Sequence, residues 1–380
     1  METVDIIVIG AGIAGASAAW ALAETASVLL LEREDQPGYH TTGRSAAVFA
    51  PAYGNLPIRR LTAASRSFYE ANAGGLADGP VLHARGELMI ARADQLDALD
   101  LAEAELRQQI DSLERLDADA AMQRLPSLRP GYAAAALADF SAMDMDVAAI
   151  HQGFLKAFRH RGGRLQVDAE VTGLRQVQSG WEVMTKAGTF QAEILVNAAG
   201  AWADAIADLA GAARIGLVPK RRTAFIFDPK AAVDPHWPVV VDVEESFYFK
   251  PESGLLLGSP ADETPSPPTD AQPEDLDVAI AVDRIEQATT WQIARITRRW
   301  AGLRSFVADK TPVVGFDSER AGFFWLAGQG GYGIQTAPAL SRVAAALALG
   351  RSLPDDVAGT GLHAADLAPG RAGLVGDRVS

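Results

Sequence analysis

The stretch VDIIVIGAGIAGASAAWALAETASVLLLE, residues 4–32, decides the fold. An apolar run from Val4 to Ile9 reads as a strand, Gly10, Gly12 and Gly15 follow at G-x-G-x-x-G spacing, and Ile13 to about Glu24 reads as a helix. Each glycine has its own task. Gly10 permits the tight strand-to-helix turn, Gly12 lets backbone N–H groups approach a pyrophosphate, and Gly15 lets the helix lie close on the strand. Ile13 and Ala14 open the helix, where the positive end of its dipole faces an anion. A second apolar run, Ser27 to Leu31, ends in Glu32 and Arg33. Glu32 stands where an acid holding a ribose hydroxyl is expected, so the nucleotide should lack a 2′-phosphate.

At 380 residues the chain exceeds one compact core, and about two domains are expected. Its 48% hydrophobic residues suffice for large cores, and no apolar run reaches the eighteen or so residues that suggest a membrane span. The start Met1-Glu2-Thr3 leads directly into the first strand without a basic leader, so a cytoplasmic address is expected. No cysteine is present, which excludes disulfides, thiolate metal sites, iron–sulfur clusters and thioether attachment of a cofactor; no metal site is expected. A formal charge of -14 argues against a nucleic-acid partner.

Further along, residues 86–92 read as a strand and Gln95 to about Ser112 as an amphipathic helix with Leu96, Leu99, Leu101 and Leu106 on its apolar face. A helix from near Asp146 to about Arg161 ends at Gly162-Gly163, and Arg164–Leu174 with Trp181–Lys186 read as hairpin strands. Residues 216–260 read as a series of strands, Thr264–Pro273 as a connecting loop, and Leu276 to about Ala288 as a helix. Two later segments return to nucleotide-binding character. The strand Ala192–Asn197 runs into the small residues Ala198-Ala199-Gly200-Ala201-Trp202. The strand Phe323–Ala327 runs into Gly328-Gln329-Gly330-Gly331-Tyr332-Gly333 and a helix from Ile334 to about Leu349. A second helix N-terminus aimed at the site suits the charge of a reduced flavin, and this favours flavin over nicotinamide.

These segments, with Gly38-Tyr39-His40-Thr41-Thr42-Gly43-Arg44-Ser45-Ala46-Ala47, resemble the D-amino-acid oxidase superfamily of FAD enzymes. Within it, Lys220-Arg221-Arg222, Glu245-Ser246-Phe247-Tyr248, the run Trp300 to Asp309 and Gln329 to Thr336 are similar to the bacterial D-arginine dehydrogenases, and the likeness spans nearly the whole chain. It implies a mixed α/β fold in which a Rossmann-type FAD-binding domain, assembled from residues 1–85, 141–215 and 305–380, joins a substrate domain built on an antiparallel sheet from residues 86–140 and 216–304. Non-covalent FAD is implied, held by the fingerprint with Arg33, Thr42, Gly43, Arg44, Ser45, Ala47, Val171, Ala198, Gly200, Trp202, Gly302, Gly330, Gly331, Tyr332, Gly333 and Ile334.

The implied reaction is oxidation of a small-molecule D-amino acid to an imine by hydride transfer from Cα to flavin N5, the imine then hydrolysing to a 2-oxo acid and ammonia. Electrons pass on to an acceptor such as a quinone, a respiratory carrier or oxygen. The resemblance gives the substrate carboxylate to Arg222 and Arg304, whose guanidinium groups suit paired charge-assisted hydrogen bonds. It gives orienting hydroxyls to Tyr53 and Tyr248 and a backbone carbonyl to Gly331. Glu87 corresponds to the acid that recognises a cationic side chain, whereas Val48, Ala50 and Val239 make the pocket less polar than the family's. Basic D-amino acids such as D-arginine and D-lysine are therefore expected to be preferred. The alternatives are a flavin enzyme similar to glycine or sarcosine oxidases, acting on small or N-methylated amino acids, and a non-catalytic FAD module. His83 and His151 read as ordinary surface or partly buried residues.

Overall fold

The computed structural model describes residues 2–374 except 73, 74, 109 and 111. Strand β1 (Glu2–Ile9), helix α1 (Ile13–Leu22) and strand β2 (Val28–Leu31) form the expected unit, with β1 and β2 paired in parallel. On its other side β1 pairs in parallel with Gly188–Asn197, which also pairs in parallel with Phe323–Ala327. Parallel strands covered on both faces should be apolar throughout, and successive side chains should divide between two cores. Ile6, Val8, Val28 and Leu30 join the core beneath α1 and the helices Val147–His160 and Gly333–Ala348. Ile7, Ile9, Leu29 and Leu31 join the opposite core with Trp181, Ile206 and Phe323. This eight-stranded sheet draws its strands from three separated regions of the chain.

A second sheet of nine strands holds Glu87–Ala91, Ala135–Asp139, Val218–Phe227, Val239–Asp242, Tyr248–Glu252 and Ile296–Phe306. It is mainly antiparallel, although Glu87–Ala91 lies parallel to Val239–Asp242. The helix Asp275–Ala288 covers one face through Val278, Ala281 and Ile285.

Several expectations change. The helix expected from Gln95 to about Ser112 is a short turn, Ala93–Gln95, and a helix Leu96–Leu106; Gln109 and Asp111 of the expected stretch fall outside the described residues, as do 375–380 of the last expected FAD-binding segment. Leu101 is exposed because it is about 200° around the helix from buried Leu99. Arg164–Leu174 is two strands with different partners: Arg164–Gln166 runs parallel to β2, and Val171–Val177 forms the hairpin with Gly180–Thr185. Between them Asp168 turns the chain at φ 53. The loop Thr264–Pro273 is more than a connection, because Thr264 and Pro265 pair with the strand Val218–Phe227.

The fold depends on backbone closeness at Gly15. A Cβ there would lie 1.8 Å from the Gly10 carbonyl oxygen, which is backbone and cannot rotate aside. Gly15→Ala should therefore cost about 3 kcal/mol or more, lowering the melting temperature by roughly 6 °C or more. A melting temperature equal to wild type would contradict the contact.

Candidate active site

The glycine-rich turn ends in a cleft. Gly10 stands at φ 98, a left-handed conformation, and places the α1 N-terminus at the cleft wall. A Cβ on Gly12 would meet only Thr42 Oγ1, at 3.2 Å, so this position is open towards the cleft. The Ile13 N–H donates to Thr42 Oγ1 at 3.0 Å, which ties the segment 38–46 to the helix start. Glu32, buried at the end of β2, accepts from the Ala11 N–H at 2.9 Å and from the Glu34 N–H at 3.1 Å. Burial pushes its carboxyl above the usual range, and the backbone donors oppose that shift. The helix Gly333–Ala348 brings a second N-terminus to the same cleft through Gly331, Gly333 and Ile334. On the cleft wall Ser305 Oγ and Gln329 Nε2 are buried without a hydrogen-bond partner among the described residues. Two helix ends, an open glycine, an acid at the end of β2 and unpaired polar atoms fit an elongated dinucleotide with a polar ring system.

At one end the cleft meets a second cavity of about 580 Å³. Ser45, Ala46, Arg222, Tyr248, Arg304, Gly331 and Ile334 line both. The arginines come from neighbouring antiparallel strands: Arg222 is paired with Gly302 and Arg304 with Lys220, so both side chains project from one face. Arg222 is buried, its Nε donates to the Asp262 carbonyl at 2.8 Å, and its Nη2 has no hydrogen-bond partner among the described residues. Arg304 Nη1 donates to the Tyr53 hydroxyl at 2.9 Å. A Cβ on Gly331 would lie 2.9 Å from the same nitrogen, so a side chain here would push the guanidinium from its place across the turn. Desolvation opposes the Arg304 charge, but the surrounding Tyr53, Tyr248 and Glu245 more than offset it and hold its pKa above the ordinary value. Burial also raises Tyr53 and Tyr332, keeping both phenols neutral.

The second cavity continues past the arginines to Glu87, Met89, Val239 and Val241, with Val48 and Ala50 also on its wall. Burial, reinforced by Asp139 and Glu245, pushes the Glu87 carboxyl up to about 7. All six residues expected at the substrate, Tyr53, Glu87, Arg222, Tyr248, Arg304 and Gly331, line this one cavity. Most expected cofactor residues line the cleft, including Arg33, Arg44, Val171, Ala198, Gly200, Trp202, Gly302 and Gly330.

Four do not line the cleft. Gly15 is a packing position, and Gly43 closes a turn by donating its N–H to the Gly38 carbonyl at 2.8 Å. Ala47 and Tyr332 line the second cavity instead. His151, read as a surface or partly buried residue, is buried: Nε2 lies 2.8 Å from the Ala11 carbonyl, so it braces the fingerprint from behind. Sequence reasoning also missed Arg44 as a clasp. Its guanidinium donates to the carbonyls of Ala271 and Ala301 and pairs with Asp270, holding the loop after Pro265 against the cleft. Glu245, at φ 53 in the turn before Tyr248, is a further acid on the cavity, and only its position beside Tyr248 in a motif string could have flagged it. Among the described residues no cluster of acids and histidines suits a metal, and no helix is long and apolar enough to cross a membrane.

The profile of one family, FAD dependent oxidoreductase, matches residues 5–347, and the chain belongs to that family. FAD is therefore its cofactor, and the protein is a flavin oxidoreductase. It is similar to glycine oxidase from Geobacillus kaustophilus, with a TM-score of 0.82, 23% identity, and 95% of this chain and 98% of that chain covered. It is also similar to L-alpha-glycerophosphate oxidase from Mycoplasma pneumoniae with FAD bound, with a TM-score of 0.83, 18% identity, and 92% and 95% covered. In sequence it is 28% identical over 222 residues to L-2-hydroxyglutarate dehydrogenase of Escherichia coli (strain K12), covering 54% of this chain. That match spans about half the length of the relative, 50%.

Because a Cβ on Gly12 would press only on the Thr42 hydroxyl, a side-chain tip that can shift, while the position faces the cleft, Gly12→Val should fold and melt as an apoprotein. The expected result is a soluble protein whose absorbance near 450 nm is lost even after incubation with FAD. Normal flavin content in this variant would remove Gly12 from the cofactor site.

Proposed function

We propose that the protein oxidises D-amino acids, basic ones ahead of neutral ones, to imines that hydrolyse to 2-oxo acids and ammonia. One observation supports this most strongly: two arginines share a face at the junction of the two cavities, while an acid, Glu87, stands on the part that does not touch the cleft. A molecule with a carboxylate at one end and a cation at the other matches that arrangement. The similarity of residues 43–47, 220–222, 245–248, 300–309 and 329–336 to D-arginine dehydrogenases supports the D series and assigns the roles given below. The two sheets and their separated chain segments are consistent with the expected FAD-binding and substrate domains.

In this reading Arg222 and Arg304 pair with the substrate carboxylate, Tyr53 and Tyr248 orient it by hydroxyl hydrogen bonds, and the Gly331 carbonyl accepts from the α-amine. Bound FAD accepts a hydride from Cα. The chain's task is to hold the Cα–H bond in line, to receive the substrate with its amine neutral, and to exclude water; no strong base is required at Cα. FAD is held non-covalently, since cysteine is absent and no histidine stands in an attachment motif. Two structural details weigh against nearby substrate classes. Glycine would leave the cavity beyond the arginines unfilled, and a 2-hydroxy diacid would bring a second carboxylate towards Glu87.

Anaerobic bleaching of the flavin by a panel of D- and L-amino acids, glycine and 2-hydroxy acids tests the reading; D-arginine and D-lysine should bleach it, and bleaching only by the L series, glycine or hydroxy acids would refute it. Arg304→Met should retain FAD yet lose about 3 kcal/mol of substrate binding, roughly a hundredfold in kcat/KM, because the carboxylate enters without its partner. Retention of near-normal kcat/KM would contradict the clamp. Glu87→Leu should lower kcat/KM for D-arginine by about 1–3 kcal/mol while leaving or improving that for D-leucine, so the ratio between the two falls. Equal losses on both substrates would mean that Glu87 supports the fold.

A further inference from the structure

Across the antiparallel ladder, the register partner of Glu87 is Asp139, on the strand Ala135–Asp139. Such partners project to the same face with Cβ atoms about 5 Å apart. Asp139 is 3% exposed. Its Oδ1 accepts from the Ser141 N–H at 2.9 Å and from the Ser141 hydroxyl at 2.6 Å. Its Oδ2 is buried and has no hydrogen-bond partner among the described residues. Oδ1 is thus satisfied by two donors, while Oδ2 offers an acceptor that a donor could fill. On the other side of Glu87, the strand partner is Val239, which offers none through its side chain.

We propose that Glu87 and Asp139 share one proton, the Glu87 carboxyl donating to Asp139 Oδ2, and that a cationic substrate side chain docking on Glu87 displaces that proton to solvent. Asp139 is then a positioning residue that sets the pH at which basic side chains are selected. The inference rests on the reading of this cavity as a D-amino-acid site. Its charge balances: the pair goes from one negative charge to two, the incoming cation offsets one of them, and one proton is released. Two neighbouring carboxyls that cannot both ionise cheaply behave in this way.

The surroundings agree. The groups that shift Glu87, besides burial itself, are Asp139 and Glu245, both acids, and they push it up to about 7. Glu245 stands exposed in the turn before Tyr248. The cations on the same cavity have other partners: Arg59 pairs with Glu105, Lys310 with Glu263, and Arg222 and Arg304 stand at the junction with the cleft among Tyr53 and Tyr248. Below the titration the pair holds its proton and a cation must expel it; above it the second negative charge is already present. Selectivity for basic over neutral substrates therefore rises with pH through the neighbourhood of 7.

The test is the ratio of kcat/KM for D-arginine to that for D-leucine, followed from about pH 5 to about pH 9 on the FAD-loaded enzyme. Taking the ratio cancels the titration of the α-amine, which both substrates share. In wild type the ratio should rise about tenfold or more with a midpoint near 7. Asp139→Asn should lower the midpoint by about one pH unit or more, because the neighbouring negative charge is gone. Ser141→Ala, which removes one donor from Oδ1 and leaves the pair less compensated, should raise it, and it serves equally if the Asn variant does not fold. Glu87→Gln should abolish the rise. The proposal is overturned if the midpoint is unmoved in Asp139→Asn and in Ser141→Ala, or if the rise survives in Glu87→Gln. If the wild type oxidises basic D-amino acids with a ratio that is flat in pH, the proposal falls while the functional reading stands. If no D-amino acid reduces the flavin, the functional reading falls and takes the proposal with it.

Discussion

Everything at this site depends on how closely α1 can approach the end of β1. Gly15 lies against the Gly10 carbonyl, and a Cβ on Gly10 would come within 2.6 Å of the Ala198 carbonyl oxygen. The strand-to-helix turn and the distant segment at Ala198 therefore meet with no side chain between them. That closeness points the α1 N-terminus into the cleft and fixes the end of Gly188–Asn197 beside it. The strand Phe323–Ala327 is aligned on the same scaffold, and the turn after it delivers Gly331 to the junction of the two cavities and Tyr332 to the wall of the second. The cofactor cleft and one wall of the substrate cavity thus share one rigid origin.

The second sheet contributes charge. Burying guanidinium groups is expensive, and the fold offsets the cost with partners of limited capacity: a carbonyl for Arg222 and a phenol for Arg304. Neither guanidinium has a carboxylate at hydrogen-bonding distance, although Glu263 lies 3.7 Å from Arg222 Nη2. Both therefore retain strong attraction for an incoming carboxylate. At Glu87 the situation is reversed, because an acid held among acids and apolar side chains favours either a proton or a cation. The cavity is polarised before any substrate enters it, and this polarity is the basis of the proposed selectivity for basic side chains.

The fingerprint, its two strands, both later glycine-rich turns and the helices after Asp146 and near Leu276 were legible because their signals are local: glycine spacing and apolar runs. What remained hidden was long-range. Nothing in the sequence near Asp139 shows that it pairs in register with Glu87, and nothing near Asp270 shows that Arg44 will hold it. Leu101 misled because apolar spacing was read without its angle around the helix. Arg222 and Arg304 are separated by more than eighty positions, and only the antiparallel pairing of their strands brings them to one face. The resemblance to known enzymes anticipated that meeting, which the spacing alone could not.

The most direct measurement is a crystal structure of the FAD-loaded protein with 5-guanidinopentanoate, which keeps the carboxylate-to-guanidinium spacing of arginine but has no α-amine to oxidise. The account predicts its carboxylate on Arg222 and Arg304 at about 2.8 Å and its guanidinium on Glu87. A ligand bound with its carboxylate away from both arginines, or with its guanidinium turned from Glu87 into solvent, would contradict it.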